Sequence, residues 1–184
     1  MNGDTTGGEH MGVSEPVETT NLDRYGNEPL PWSRAHERLK VDLSKISTAA
    51  FLSTTRPDGR PHAAGIGALW LDEDLYFTSG PGTRKSRNLA ANPACVYSVR
   101  LEGLDLVVEG EAARVTDGAT LERAAASYDQ DGWPARVEGD ALTAPFSAPS
   151  AGPPPWYLYR IGIHTAVGVA TVEPYGATRW CFRD

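Results

Sequence analysis

Most of the chain after residue 47 alternates apolar and polar side chains, which is typical of β-strands that bury one face. Short turn sequences separate these stretches, such as Arg56-Pro57-Asp58-Gly59-Arg60, where proline, aspartate and glycine all favour a tight turn. The predicted strands are residues 48–55, 61–71, 75–79, 94–101, 104–115, 156–171 and 178–182. Short connections are typical of an antiparallel sheet, and about seven such strands favour a closed or nearly closed barrel.

Three segments have the spacing of short helices instead. The first is expected to begin with Ser33 as its N-cap. Its apolar face would be formed by Leu39, Leu43 and Ile46. A second helix is predicted over residues 84–91 with Thr83 as its N-cap, and a third over residues 119–128. Residues 129–156 are rich in glycine and proline and are predicted to form a loop, so the chain is expected to be mainly β with small helices.

Composition narrows the class of protein. The chain has 184 residues, which suits one folded domain, and its net charge of -7 disfavours non-specific nucleic-acid binding, because that binding depends on basic side chains. Residues 1–28 hold six acidic residues and one basic residue with few apolar side chains, so a flexible acidic tail is expected before a folded domain over 29–184. No apolar run suits a membrane span or a secretory signal, and Cys95 and Cys181 lie in apolar surroundings. A cytoplasmic protein with reduced cysteines is therefore expected.

The segment with the clearest chemical character lies where the strand over 75–79 gives way to the second helix. Its polar residues are Thr78, Ser79, Thr83, Arg84, Lys85, Arg87 and Asn88. Hydroxyl groups, free amides at a helix N-terminus and three cations would together bind a phosphate group, although the spacing is not that of a P-loop. A solvated basic helix face would have the same composition, so both interpretations stay open at this point.

A second feature is a strand with very small side chains, His62-Ala63-Ala64-Gly65-Ile66-Gly67-Ala68. Its alternate residues Ala63, Gly65 and Gly67 share one face. Such a bare face is weak unless another group fills the space, and a flat ring lying against the backbone would fill it. A β-bulge or a closely packed helix would also explain the small residues.

The end of the chain and the remaining chemistry are less specific. Arg179 and Trp180 are of types common in binding interfaces, and we include them among the candidate cofactor-binding residues, with closure of the core by the last strand as the alternative. The four histidines are scattered without the spacing of a metal site, and no nucleophile motif is present. An anion-binding loop beside a bare strand, with no obvious acid, base or nucleophile, is consistent with a cofactor that carries the chemistry.

Over residues 30–184 the chain resembles the pyridoxamine 5′-phosphate oxidase-like, FMN-binding split-barrel family of flavin and deazaflavin oxidoreductases. The similarity is most specific in FLSTTRPDGRPH and LYFTSGPGTRKSRNLAANP, and the segments YGNEPLPWSRAHERL and TRWCF resemble an actinobacterial branch. The resemblance implies a six-stranded antiparallel split β-barrel that forms a homodimer with the cofactor between the subunits. It further implies that the polar residues of the strand–helix junction hold the phosphate and ribityl chain. The strand from His62 to Ala68, with Gly65, Ile66 and Gly67, would then lie along the ring.

The function implied by this resemblance is hydride transfer between coenzyme F-420 or FMN and a small conjugated substrate, with no metal and no membrane or nucleic-acid partner. Coenzyme F-420 is preferred because three cations suit its longer acidic tail. One alternative is a non-catalytic FMN or haem binding protein of the same fold. Another is pyridoxamine 5′-phosphate oxidase activity, for which the C-terminal Arg/His substrate signature is missing.

Overall fold

The computed structural model describes residues 15–45, 47–148 and 151–183, and this part of the chain is mainly antiparallel β-sheet with three short helices. The strands are β1 (Glu18–Asn21), β2 (Ala50–Thr55), β3 (Pro61–Ile66), β4 (Ala68–Leu71), β5 (Asp74–Ser79), β6 (Ala94–Leu101), β7 (Leu104–Val115), β8 (Arg136–Glu138), β9 (Ala141–Thr143), β10 (Tyr157–Ala170) and β11 (Ala177–Cys181). The helices are α1 (Trp32–Asp42), α2 (Arg84–Ala91) and α3 (Gly118–Gln130). The expected class, mainly β with small helices, is confirmed.

Six strands form the split barrel if β3 and β4 are counted as one strand interrupted at Gly67. The hydrogen-bonded order is β3-β2-β6-β7-β10-β5-β4, so the ladder is open and ends at β3 and β4. These two strands follow one another in the chain with only Gly67 between them. The two ends of the ladder therefore meet at Gly67, where the sequence predicted one continuous strand over 61–71.

The barrel interior is filled by large apolar side chains from several strands. Tyr97, Leu104 and Phe77 are fully buried, and the rings of Phe77 and Tyr159 stack 5.1 Å apart. Helix α1 covers one opening of this core with Trp32 and Leu39. A second apolar cluster lies under α3. Burial of rings of this size is the main stabilising contribution available to a domain of this length.

Helix α1 begins differently from the prediction. Its N-cap is Pro31, Ser33 lies within the first turn, and no side chain caps the helix. Proline sets the backbone angle that a helix start requires without donating a hydrogen bond, so it replaces the expected serine cap. Leu39 and Leu43 are buried as expected, and Ile46 lies outside the described residues.

Two pairings were not predicted from the sequence. Strand β1 lies within the segment expected to be a tail, of which residues 1–14 are outside the described part, and it pairs with β11, Glu18 opposite Cys181. Its main-chain hydrogen bonds cover the edge of β11, which explains a strand with little apolar character. Strands β8 and β9 form a small hairpin within the predicted loop over 129–156. No helix in the described ranges has the length and apolar character to cross a membrane.

Candidate functional site

The junction between β5 and α2 is held together by three hydroxyl groups. The Thr83 side chain caps α2 by accepting a hydrogen bond from the Ser86 amide at 3.3 Å. The Ser79 hydroxyl lies 2.9 Å from that of Thr83 and accepts a hydrogen bond from the Ser86 hydroxyl at 2.8 Å. The cluster fixes the direction of the helix as it leaves the strand. The N-terminal amides of α2 and the side chains of its first turn therefore have a defined position.

Lys85 in the first turn of α2 is unusual because it is buried without a partner. Only 6% of its surface is exposed, and no described residue forms a hydrogen bond or an ion pair with its amine. Burial lowers the pKa of this amine. A largely desolvated ammonium group without a counter-charge costs free energy, and an anion bound beside it would offset that cost.

Other positively charged side chains lie near Lys85. Burial lowers the pKa of His62, and the nearby charges of Arg56, Arg84 and Lys85 lower it further. Burial is the larger cause, but all three neighbours act in the same direction because each repels a proton on the imidazole. Asp58 is the described carboxylate coupled to this cluster: hydrogen bonds from Arg60 lower its pKa, and the charge of Arg56 lowers it further. Arg84 and Lys85 have no carboxylate partner among the described residues, and their field favours an anionic group.

This cluster borders a cavity of about 620 Å³, which we call the first cavity. One wall is β3, from His62 through Ala64 and Gly65 to Gly67; the other walls are residues 49–51 and the start of α2. The bare face of β3 is exposed, as the alternation of Ala63, Gly65 and Gly67 predicted. A Cβ added at Gly67 would meet no atom within 4 Å, and one at Gly65 would meet only the Ala50 carbonyl oxygen at 4.0 Å. Neither glycine is demanded by protein packing, so the space they leave is open to a ligand.

A second cavity, of about 500 Å³, lies beyond Gly67 and shares Ile66 and Gly67 with the first. Its wall includes four aromatic side chains, Tyr128, Trp133, Phe146 and Trp156. The rings of Tyr128 and Trp133 meet edge to face with centroids 4.8 Å apart. The Tyr128 hydroxyl donates a hydrogen bond to the Gly67 carbonyl at 3.3 Å, which ties α3 to the break between β3 and β4. Burial raises the pKa of this hydroxyl, so it stays protonated over the physiological range.

The two cavities suit a ligand with a charged tail and a flat body. Lys85, Arg84 and the first amides of α2 would hold a phosphate in the first cavity, and the bare strand would lie against a ring. A phosphorylated flavin or deazaflavin has a flat ring on a chain that carries phosphate, so the residues present fit that group. No cluster of three or more His, Cys, Asp or Glu that could hold a metal ion occurs among the described residues.

The structure brings together most of the predicted site residues. His62, Gly65, Ile66, Gly67, Thr83, Arg84 and Lys85 line the first cavity, whereas Ala68 and Thr78 line only the second. Ser79, Arg87 and Asn88 line neither cavity. Ser79 belongs to the hydroxyl cluster, and Asn88 is buried and donates a hydrogen bond to the Thr54 hydroxyl at 2.9 Å, which fastens α2 to β2. Arg87 is exposed and donates to the Gly82 carbonyl.

Arg179 and Trp180 lie elsewhere. Trp180 is fully buried, packs edge to face on Trp32 at 5.3 Å, and donates its indole N–H to the Leu30 carbonyl at 3.2 Å. Arg179 is exposed on the opposite face of β11, 3.5 Å from the Thr20 hydroxyl. Neither residue lines the first or the second cavity. Trp180 instead closes the core, which was the alternative interpretation of the last strand.

Arg56 and the aromatic residues of the second cavity are not among the site residues predicted from the sequence. Arg56 opens a clear turn sequence, and the turn explains its position without any role for its charge. Tyr128, Trp133 and Trp156 are widely spaced around a loop-rich segment, and no local pattern shows that they meet. The position that could have indicated Arg56 is the turn of the hairpin: Arg56 directly follows β2, and the other strand of the hairpin carries His62.

Known proteins share this architecture. No curated protein matches the chain in sequence. Among solved structures, a NimC/NimA family protein from Clostridium acetobutylicum is 17% identical with a TM-score of 0.54, covering 80% of this chain and 91% of that one. PhzG from Burkholderia lata 383 is 17% identical with a TM-score of 0.53, covering 83% of both chains. An F420 reductase is 27% identical with a TM-score of 0.46, covering 67% of this chain and 92% of that one.

The family assignment comes from the sequence itself. The model of the pyridoxamine 5′-phosphate oxidase family matches residues 41–144, a range that runs from the end of α1 through β9. The matched range contains β3, the strand–helix junction with Lys85, and Tyr128. Since this range is more than half of the chain, the protein belongs to the pyridoxamine 5′-phosphate oxidase family.

Proposed function

We propose that this protein binds a phosphorylated flavin-type cofactor in the first cavity and is an oxidoreductase that transfers hydride to or from a small conjugated substrate. The observation that carries the proposal is Lys85, a buried residue whose amine has no partner among the described residues, beside β3, which presents Ala64 and Gly65 to the first cavity. The family is named for an oxidase that uses this class of cofactor, and membership in the family supports a flavin-type ligand.

The chain's own residues would bind and orient the cofactor. Lys85 and Arg84 would pair with phosphate oxygens, with Arg56 and His62 adding positive potential nearby. The Gly65–Ala68 backbone would hold the ring, and the cavity walls would exclude water from one of its faces. The bound ring supplies the hydride-carrying position, and the protein supplies orientation and a preorganised environment.

Coenzyme F-420 is our preferred cofactor over FMN. The cationic cluster has Arg56 in addition to Arg84 and Lys85, so its positive charge exceeds what one phosphate requires. A longer tail with several acidic groups would use that excess, whereas FMN would leave part of it unpaired.

We also propose that the protein acts in the cytoplasm as a homodimer with the cofactor near the interface. The outer face of the sheet carries exposed apolar side chains, Phe51 at 52% and Val107 at 38% exposure. Both lie opposite Ser98 of the strand between them, so they belong to one row across β2, β6 and β7. Phe51 also lines the first cavity, so this row would lie beside the proposed cofactor. A second copy seated on this row would bury the apolar side chains and close the cavity.

Side-by-side titration with FMN and coenzyme F-420 tests the cofactor, using quenching or shift of the fluorescence of each. We expect binding of at least one, tighter for F-420. The Gly65→Val variant should fold normally, because its Cβ meets open space, and should lose most of the cofactor affinity. Ala63→Val is the matched control, since it adds the same side chain to the same exposed face of β3 outside the cavity.

Three results would contradict the proposal or replace it. If neither cofactor binds the purified chain, the proposed function is wrong. If the Gly65→Val and Ala63→Val variants bind the cofactor with equal affinity, β3 is not the site of the ring. A Soret band on adding haem, without flavin binding, would favour a haem carrier. If the protein with bound FMN oxidises pyridoxamine 5′-phosphate, the alternative oxidase activity is correct.

A further inference from the structure

The second cavity has no role in holding the phosphate or the bare-strand ring site, and its chemistry differs from that of the first. Its lining combines four aromatic side chains with Leu43 and Ile66. Trp133 links the group, with its ring 4.8 Å from Tyr128 and 5.5 Å from Trp156. Phe146, which is 46% exposed, lies 6.5 Å from Trp156 at the outer side. Aromatic walls of this kind favour flat, conjugated molecules, which stack on them or meet them edge to face.

The charges at this cavity select against anions. Lys45 lines the cavity, but its amine is 2.7 Å from a carboxylate oxygen of Asp42 and is already paired. Asp131, at the end of α3, lines the same cavity, and none of the described cations pairs with it. Its charge reaches the Tyr128 hydroxyl, whose pKa it helps to raise. Burial raises the pKa of the Asp131 carboxyl itself. Asp131 is an exposed residue, and it is the charged side chain of this lining that has no described ion-pair partner, so the unpaired charge at the second cavity is negative, opposite in sign to that of the first.

We infer that the second cavity is the substrate site and that it accepts uncharged, planar conjugated molecules while Asp131 repels carboxylates of the same shape. This inference rests on the proposed function, which places the cofactor ring along β3. Ile66 and Gly67 border both cavities, so a molecule in the second cavity would lie directly beside that ring. A volume of about 500 Å³ is enough for a two- or three-ring molecule.

Two naphthalene derivatives of nearly equal shape test the selectivity. 2-Acetylnaphthalene is neutral, and 2-naphthoate is its carboxylate counterpart, so equilibrium dialysis of both at pH 7 isolates the effect of charge. We expect the neutral probe to bind about fivefold more tightly, the effect of one like charge at a partly screened site. Asp131→Asn should reduce this preference to less than about twofold by raising naphthoate affinity while leaving the neutral probe unchanged.

Cavity-filling variants test the location. Ala148→Phe and Ser44→Phe add bulk from two different segments that line the second cavity. Each variant that keeps the wild-type melting temperature should lose at least about tenfold in 2-acetylnaphthalene affinity, since the probe and the added ring compete for one volume. Their affinity for FMN or coenzyme F-420 should stay within about twofold of wild type. Using two variants separates a loss of the cavity from a local folding defect of either segment.

Lys85→Met gives the reciprocal result and separates this inference from the proposed function. It should weaken cofactor binding by roughly 10- to 150-fold and leave 2-acetylnaphthalene binding unchanged. If the wild-type chain binds neither cofactor but binds the probe in the second cavity, the proposed function is wrong and the second cavity is still a binding site for such molecules. If both filling variants bind 2-acetylnaphthalene like the wild type, or if naphthoate binds as tightly as the ketone, the assignment of the second cavity is overturned.

Discussion

Replacing Lys85 by methionine should make the protein more stable and weaken its affinity for the proposed cofactor. Methionine has nearly the length of lysine and fills the same space, but it carries no charge. The Lys85 residue is buried, its amine is unpaired within the described chain, and burial lowers the pKa of that amine. The substitution therefore removes a desolvated charge without opening a hole in the first turn of α2.

The size of both effects follows from the position of the amine. Replacing a buried ion pair or triad by apolar residues of similar volume is often neutral or stabilises proteins by roughly 1–4 kcal/mol, and for this single amine, which borders a cavity, we expect about 1–2 kcal/mol. For a domain of this length that corresponds to a rise in melting temperature of about 2–8 °C. Loss of a charge-assisted hydrogen bond to phosphate costs about 1.5–3 kcal/mol, or roughly 10- to 150-fold in cofactor affinity.

Thermal melts of the cofactor-free protein and FMN or F-420 titrations measure the two quantities separately. Lys40→Met is the matched control, because Lys40 is exposed and lies 2.6 Å from a carboxylate oxygen of Glu73, so its loss should change neither quantity by much. The destabilisation by Lys85 is fully present below its lowered pKa and disappears as the pH rises past about 10.4, the ordinary lysine value, so the stability difference should shrink in alkali. A Lys85→Met variant with unchanged stability and unchanged cofactor affinity would refute the assignment of an anion site.

Three further predictions concern parts of the fold that support the site. Asp42 is buried with its pKa lowered from 3.8 to about 2, because hydrogen bonds from two cations and a backbone amide outweigh the effect of burial. Its stabilisation of about 2 kcal/mol is present above pH 4 and lost as the pH falls through about 2, so denaturant titrations across this range should show that Asp42→Asn removes the change. Gly168→Ala would place a Cβ 2.6 Å from the Trp180 ring and should cost about 1–3 kcal/mol in chemical unfolding, whereas Gly162→Ala in the same strand meets no atom closer than 3.8 Å and should be tolerated. Thr83→Ala should lose about 1 kcal/mol with the helix cap, and Thr83→Ser should restore it.

The elements that could be predicted are those whose signals are local. Helix α2 was placed at its observed bounds because Thr83 caps it and Pro93 follows its end. Strands β6 and β7 were also placed correctly, since Glu102 and Gly103 mark the turn between them and Gly103 has the positive φ, +75°, that such a turn favours. In each case the deciding residues lie within a few positions of the boundary.

The elements that could not be predicted depend on contacts between distant parts of the chain. Strand β1 has few apolar residues and forms because the edge of β11 is available to it. The charge run of α2 illustrates the same limit at the site. Spacing places Arg84, Lys85 and Arg87 on one helix but cannot say which of them faces the barrel, and the structure buries Lys85 alone of the three. Trp180 points inward because Gly168 on the neighbouring strand leaves room for its ring.

Gly67 connects the fold to the proposed chemistry. Its lack of a side chain marks the break between β3 and β4, its position borders both cavities, and its carbonyl accepts the hydrogen bond of Tyr128. Hydride transfer requires the two reacting atoms to approach to about 3–3.5 Å. Gly67 adds no side chain to the border that the two cavities share. Tyr128 meanwhile ties the aromatic side chains of the second cavity to the strand that would hold the cofactor ring. The residue that lies between the two ends of the ladder therefore also lies between the proposed cofactor and substrate sites.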